Sequence, residues 1–248
     1  MNELLTLEGV SKRRPDHTSD YLFRHVTATV NSGERIAVVG ASGQGKSTLL
    51  RLLARLDVPD EGAIKLRGKP VGDWKPPEWR RRVVYVAQQP VMLPGTVEAN
   101  LRTASELHGT PFDRTLAERC MTAVGLEAID WRKAASELSG GEKQRTALVR
   151  CLLALPDALL LDETTASLDP ASKRAVEELL LEWTRERGTA YLWVTHDWEQ
   201  ARNVSDSVWF MDEGTLCGAA ETDTFFREPP NERARSFIRS AHGEGGAG

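Results

Sequence analysis

The feature that most limits what this chain can become is the stretch Gly40-Ala41-Ser42-Gly43-Gln44-Gly45-Lys46-Ser47. It fits G-x-x-x-x-G-K-[ST] and lies between a short apolar run, Arg35–Val39, and a helical stretch from Lys46 onward. Strand, loop, helix is the setting in which this pattern carries chemistry. Glycines let the backbone curl so that successive N–H groups face one point, and a helix N-terminus adds positive potential there. The pattern therefore predicts a phosphate cradle. Lys46 supplies a point charge for β and γ phosphates, the Ser47 hydroxyl suits Mg2+, and Thr48 is placed for the α phosphate. A chance match in a Gly-containing loop is the bland alternative, and the flanking strand and helix argue against it.

Other apolar runs repeat the theme. Residues 83–87, 158–161, 190–195 and 207–211 read as buried strands. Between the second and third of these, Ala171, Ala175, Val176, Leu179, Leu180 and Trp183 recur at three- and four-residue intervals, which predicts a one-faced helix. Strand and crossover helix in alternation predict an α/β fold with a mostly parallel sheet covered on both sides. The first thirty residues alternate loosely (Leu5, Leu7, then Val26, Ala28, Val30) and predict an antiparallel β subdomain. Residues 96–155 read as an inserted helical subdomain. The expected division is one domain over 1–241 and an unstructured Gly-rich tail over 242–248.

Leu159-Leu160-Leu161-Asp162-Glu163 puts two carboxylates where a strand ends, the edge at which open α/β sheets bind ligands. With the phosphate cradle in the same chain, Asp162 is a candidate Mg2+ ligand beside Ser47, and Glu163 a candidate base for an attacking water. Alone, the segment would read as a strand entering a solvated acidic loop. His196 follows another strand. A lone histidine there is more often structural, but a neutral imidazole at that edge can hydrogen-bond a γ phosphate.

Composition narrows the partners. Lys plus Arg is 32 against 36 Asp plus Glu, a net charge of −4, without the basic excess of a nucleic-acid-binding surface. The longest apolar runs, 151–155 and 158–161, fall far short of the roughly 20 residues that cross a bilayer. No signal peptide is visible. Cys120, Cys151 and Cys217 are scattered and form no metal or disulfide pattern, which suits a reducing compartment.

Leu138-Ser139-Gly140-Gly141-Glu142-Lys143-Gln144-Arg145 settles the class of the reading. A serine and two glycines before a helix make an N-cap and a second anion-binding turn. A capped helix without a ligand is the alternative, but LSGGxxQR arises by chance on the order of once in a hundred thousand chains of this length. With these residues the chain resembles the ATP-binding cassette (ABC) ATPases, over nearly its whole length and with the motifs in the family's order. Residues 40–48 match the phosphate loop, Gln88 the Q-loop glutamine, and Ser139, Gly140, Gly141 and Glu142 the signature. Asp162 and Glu163 match the metal ligand and catalytic base, Asp169 the D-loop aspartate, and His196 the switch histidine.

The resemblance implies an ATP-hydrolysing, Mg2+-dependent subunit, with Gln88, Glu163 and His196 in the catalytic set and Ser47, Gln88 and Asp162 around the metal. It also implies a composite site, in which the signature of one copy faces the phosphate loop of another across ATP. One cassette per chain then gives a two-fold ATP-dependent homodimer. A separately encoded membrane permease is the implied partner, which places the chain in the cytoplasm on the inner membrane face. Nucleic acid is not an expected partner. An apolar patch after Gln88, formed by Val91, Met92, Leu93 and Pro94, suits a permease helix, or equally an ordinary core.

Three departures from the family pattern stand out. No aromatic residue occupies the usual adenine-stacking place, which leaves Arg14, or Tyr21 after a longer loop. Thr164 stands where proline usually follows the glutamate, and Ala166-Ser167 inverts the usual order. Finer likeness points to the bacterial iron-export (Fet-type) ATPases, so iron or another metal is the expected cargo. Phosphate or another small solute is the alternative, as is a soluble ABC ATPase outside transport.

Overall fold

The computed structural model describes residues 2–14 and 17–243. The chain begins with two long strands, β1 (Glu3–Arg14) and β2 (His17–Asn31), followed by β3 (Arg35–Val39) and α1 (Lys46–Leu53). Next come β4 (Glu61–Leu66), β5 (Lys69–Pro70), α2 (Pro76–Arg82) and β6 (Val83–Val86). Helices α3 (Val97–His108), α4 (Arg114–Ala123) and α5 (Gly140–Leu152) precede β7 (Ala158–Asp162). Then α6 (Pro170–Arg187), β8 (Ala190–Val194), α7 (Trp198–Val204), β9 (Ser207–Asp212) and β10 (Thr215–Glu221) follow, and α8 (Thr222–Arg227) and α9 (Glu232–Gly243) close the described chain.

Two sheets result. The antiparallel one has the order β2-β1-β4-β5 and is the expected N-terminal β subdomain. The other has the order β10-β9-β3-β8-β7-β6, parallel except for its edge pair β9–β10. Ala87 and Thr195 lie just past their strands, because the ladders stop at Val86↔Leu161 and Val38↔Val194. The helical insertion appears as α3, α4 and α5. Helix α9 runs through Gly243, two residues into the stretch expected as a tail; 244–248 lie outside the described residues.

The unbroken apolar runs follow from burial on both faces of the sheet. Leu160, Leu192 and Val194 pack toward α1 and the antiparallel sheet, while Leu159, Leu161, Tyr191 and Trp193 pack toward the insertion and α6. Successive strand residues point to opposite faces, so both layers need apolar partners. Each fully buried Leu is worth roughly 1.5–3 kcal/mol. A third cluster, with Phe210 and Phe225, carries α9 against the edge pair. Helix α6 starts where sequence chemistry puts it: Asp169 accepts hydrogen bonds from the N–H groups of Ala171 and Ser172, Pro170 follows, and Gly188 at φ +67° ends it.

Parallel pairing aligns the carboxyl ends of β3, β6, β7 and β8 at one edge. The phosphate loop, Gln88, Asp162–Glu163 and His196 all emerge there, although they are up to 156 residues apart in sequence (196 − 40).

Candidate functional site

The phosphate loop leaves β3 through Gly40, at φ +147°, pressed against the β9–β10 hairpin. A Cβ on Gly40 would sit 2.1 Å from the Met211 carbonyl oxygen, so only glycine fits. Gln44 braces the loop to the same hairpin by accepting the Gly214 N–H at 3.2 Å. Gly45, at φ +89°, opens α1 against Leu22 and Phe23 of β2. Ala41, Ser42 and Gly43 form the exposed crest of the loop, and Thr48 lies in the first turn of α1.

Lys46 is 5% exposed, and its ammonium donates to the carbonyls of Gly40 at 2.7 Å and Ala41 at 2.8 Å. Burial holds its pKa below the usual lysine value, and the carboxylates of Glu163 and Asp162 act in the opposite direction. A polyanion entering the loop would favour the charged form.

Ser47 donates to Asp162 Oδ1 at 2.8 Å. Two neighbouring ligands of an octahedral ion with about 2.1 Å bonds lie about 3 Å apart, so this oxygen pair fits Mg2+ without rearrangement. Among the described residues no cluster of three or more His, Cys, Asp or Glu side chains could cage a metal. Mg2+ takes one or two protein oxygens and fills its shell with water and phosphate. The second carboxylate oxygen, Oδ2, accepts a hydrogen bond from the Tyr85 hydroxyl at 2.7 Å. Burial, then Asp162, pushes the Tyr85 phenol strongly up, so it remains a donor.

Glu163 is held between two of the expected partners. Gln88 Nε2 donates to Oε2 at 2.9 Å, and His196 Nε2 lies 3.1 Å from Oε1. The glutamate sits at φ +47°, just past the end of β7. A cavity of about 270 Å³ joins Lys46, Ser47 and Thr48 to Glu163 and His196. A second, of about 540 Å³, opens on the other side of Glu163 and His196, toward Leu168 and Lys173 at the start of α6.

The signature residues stand apart: none of Ser139, Gly140, Gly141 or Glu142 lines either cavity. Ser139 caps α5 by accepting the Glu142 N–H at 3.3 Å, while the Glu142 carboxylate accepts the Ser139 N–H at 2.7 Å. This capping box holds the Glu142 carboxyl below the usual range, mainly through the Ser139 backbone hydrogen bond. Asp169 is held low in the same way by Ser172 and serves as the cap of α6.

The adenine-side candidates fare differently. Arg14 is exposed at the end of β1 and does not line the phosphate-loop cavity; Leu22 does. Tyr21 is already engaged: the guanidinium carbons of Arg13 and Arg24 lie 4.8 and 4.4 Å from its ring centroid, and its hydroxyl bonds Glu61. Sequence reasoning missed Leu22, Tyr85 and Gln144. The buried Gln144 side chain, on the signature helix, reaches the carbonyl of Ala87, next to Gln88, at 3.3 Å. Tyr85 carried a signal, as the one hydroxyl in an otherwise all-valine strand beside β7.

Comparison with known proteins agrees with this geometry. Residues 23–166 match the model of the family described as ABC transporter. The chain is 38% identical over 229 residues to YjkB of Bacillus subtilis (strain 168), which bears the name of an ABC transporter ATP-binding protein; the match covers 92% of this chain and 90% of that one. It is 38% identical to the phosphate import ATP-binding protein PstB 2 of Natronomonas pharaonis, covering 86% and 79% of the two chains. A solved ATP-binding subunit of an ABC transporter superposes with a TM-score of 0.81 at 26% identity, covering 95% of this chain and 99% of that one. The chain belongs to the ABC transporter family, as an ATP-binding subunit with ATPase chemistry.

Proposed function

We propose that two copies of this chain close on two ATP molecules, each copy lending its signature to the other's phosphate loop, and that the cycle drives a membrane permease. One observation carries the reading. The cavity lined by Lys46, Ser47, Glu163 and His196 contains no residue of Ser139–Gly140–Gly141–Glu142, which leaves the signature available to another copy's phosphates. A Gly-rich helix start has spare N–H donors for such an anion.

The backbone of residues 40–48 and Lys46 bind and neutralise the β and γ phosphates. Ser47 and Asp162, with Gln88 as a further candidate, would hold Mg2+, which when bound supplies charge neutralisation for the transferring phosphoryl group. Glu163 accepts a proton from water as the water oxygen attacks the γ phosphorus, and the bond to the bridging oxygen of ADP breaks. Gln88 and His196 orient Glu163, and His196 also offers a donor to the γ phosphate. Asp169 holds the start of α6 beside the 540 Å³ cavity, where the partner copy approaches.

Coupling runs through the insertion. Met92, Leu93 and Pro94 border a largely apolar groove of about 590 Å³ just beyond Gln88, and Val91 and Leu93 are exposed. A cytoplasmic helix of the permease is the occupant that fits a groove beside the residue sensing the γ phosphate. This attachment places the chain at the membrane; among the described residues no helix is long and apolar enough to cross one.

Cargo is set by the permease. PstB 2 and further relatives bear the names of import subunits for phosphate, methionine and L-cystine, which favours a small solute. Iron or metal export, the expectation from finer sequence likeness, has no counterpart among them. Glu163→Gln tests the core of the proposal, because it removes the proton acceptor and keeps the binding groups. In sedimentation with Mg-ATP, the variant is expected to form a stable dimer and to show no turnover. A variant that stays monomeric at high protein concentration would refute the composite site.

A further inference from the structure

We propose that Tyr85 is a positioning residue for the metal, fixing the Asp162 carboxylate so that Oδ1 is presented beside Ser47. The inference rests on the reading of Ser47 and Asp162 as the Mg2+ pair. Its own basis is the geometry of the carboxylate.

Asp162 is 4% exposed, so both of its oxygens need partners inside the protein. Oδ1 is taken by the Ser47 hydroxyl at 2.8 Å and Oδ2 by the Tyr85 hydroxyl at 2.7 Å. The terminal torsion of an aspartate is broad, and a carboxylate held by one oxygen can swing about it. Two hydrogen bonds on opposite oxygens remove that freedom. When Ser47 turns its lone pairs toward a metal, Tyr85 alone keeps the carboxylate in plane.

The strand pairing brings Tyr85 within reach of Asp162. β6 lies beside β7 in parallel, with Tyr85 opposite Leu160 and Val86 opposite Leu161, one residue short of Asp162. Leu160 and Asp162 point to the same face of β7, as residues two apart do. A long side chain with a polar tip, leaning along β6, therefore reaches the carboxylate. Valine or methionine there would fill the space and leave Oδ2 without a donor. Hydrogen-bonding partners of metal ligands commonly account for 10–100-fold in metal affinity.

The test is the Mg2+ dependence of ADP binding, read with a fluorescent ADP analogue and no turnover. In EDTA, Tyr85→Phe is expected to bind ADP within about twofold of the parent chain. As Mg2+ is added, the parent gains affinity, and Tyr85→Phe is expected to need roughly tenfold more Mg2+ for half of the gain. Equal half-saturation in the two proteins would overturn the assignment. A purely structural tyrosine would lower the melting temperature and leave that ratio at one. If the parent binds ADP but gains nothing from Mg2+, the metal pair itself is refuted and the Tyr85 role with it. If Tyr85→Phe does not fold, the parent labelled with 3-fluorotyrosine gives the answer. It has three tyrosines, and Tyr21→Phe and Tyr191→Phe assign the 19F signals. Adding Mg2+ to the ADP complex is expected to shift the Tyr85 resonance; an unmoved resonance overturns the proposal.

Discussion

Gly140→Ala separates stability from function at the signature. Gly140 is the first residue of α5, with ordinary helical backbone, and a Cβ built on it meets no atom within 4 Å. In the isolated chain the substitution removes unfolded-state freedom at no steric cost. The gain is about 0.5 kcal/mol, which corresponds to about 1–2 °C in Tm for a chain of this size. In the proposed ATP-bound dimer the same methyl group would stand between the helix start and the partner's γ phosphate. Displacing phosphate by about 1 Å from its donors can cost 10²-fold in turnover. The variant is therefore expected to melt slightly higher than the parent and to hydrolyse ATP at least tenfold more slowly, with ADP affinity unchanged. Thermal melting, analogue binding and steady-state phosphate release read the three quantities on one preparation. Parental turnover would refute the trans contact of Gly140, and a lower Tm would refute the open space around it. Gly141 makes the comparison: its Cβ would lie 3.4 Å from Leu168 Cδ2, an ordinary contact where Gly140 has open space.

Two further outcomes follow from the site. Lys46→Ala removes the buried ammonium and is expected to weaken ATP and ADP binding at least tenfold by titration; unchanged affinity would refute the phosphate-loop assignment. The second concerns the capping box, which contributes about 0.5–2 kcal/mol. The Glu142 carboxyl is held low when folded, so its share is present above the unfolded value of about 4.3 and is lost as pH falls through the lower folded value. Urea titrations of Glu142→Ala are expected to show lower stability than the parent at pH 7, with the gap closing under acid; a gap independent of pH would refute the charge's role.

The parts of the site that could be read from sequence are those whose chemistry is local. The phosphate loop needs its glycines within eight residues, and Asp169 caps the helix that it precedes. Asp162 and Glu163 were legible because a buried strand must end before two carboxylates. Contacts across strands were not. Tyr85 meets Asp162 only through the β6–β7 register, and periodicity does not reveal which strands are neighbours. Positions near the phosphate loop were hard to count for a related reason. Register shifts between Lys12, Arg13 and Arg14 in the β1–β2 ladder move the chain relative to a simple count, and Leu22 lines the phosphate-loop cavity. The exposed patch after Gln88 has the same ambiguity in sequence as a buried one. Only the fold shows that Val91 and Leu93 face outward.

The division of labour between Asp162 and Glu163 illustrates how backbone geometry assigns chemistry to like residues. Both are acids, adjacent, at the end of one strand. Asp162 is still in register, opposite Val194, and its side chain points into the sheet edge, where Ser47 and Tyr85 close on it. The next residue leaves the strand at φ +47°, with its N–H donating to the Val194 carbonyl at 3.1 Å. A non-glycine residue in that region costs on the order of 1–3 kcal/mol. In this conformation Glu163 lies within hydrogen-bond distance of both Gln88 and His196. Two adjacent acids thus meet two different sets of partners. The first carboxylate is buried and suited to a cation, and the second is open to water and flanked by two groups that orient it. An extended strand at this point would supply the same two acids and no place for a phosphoryl group between them.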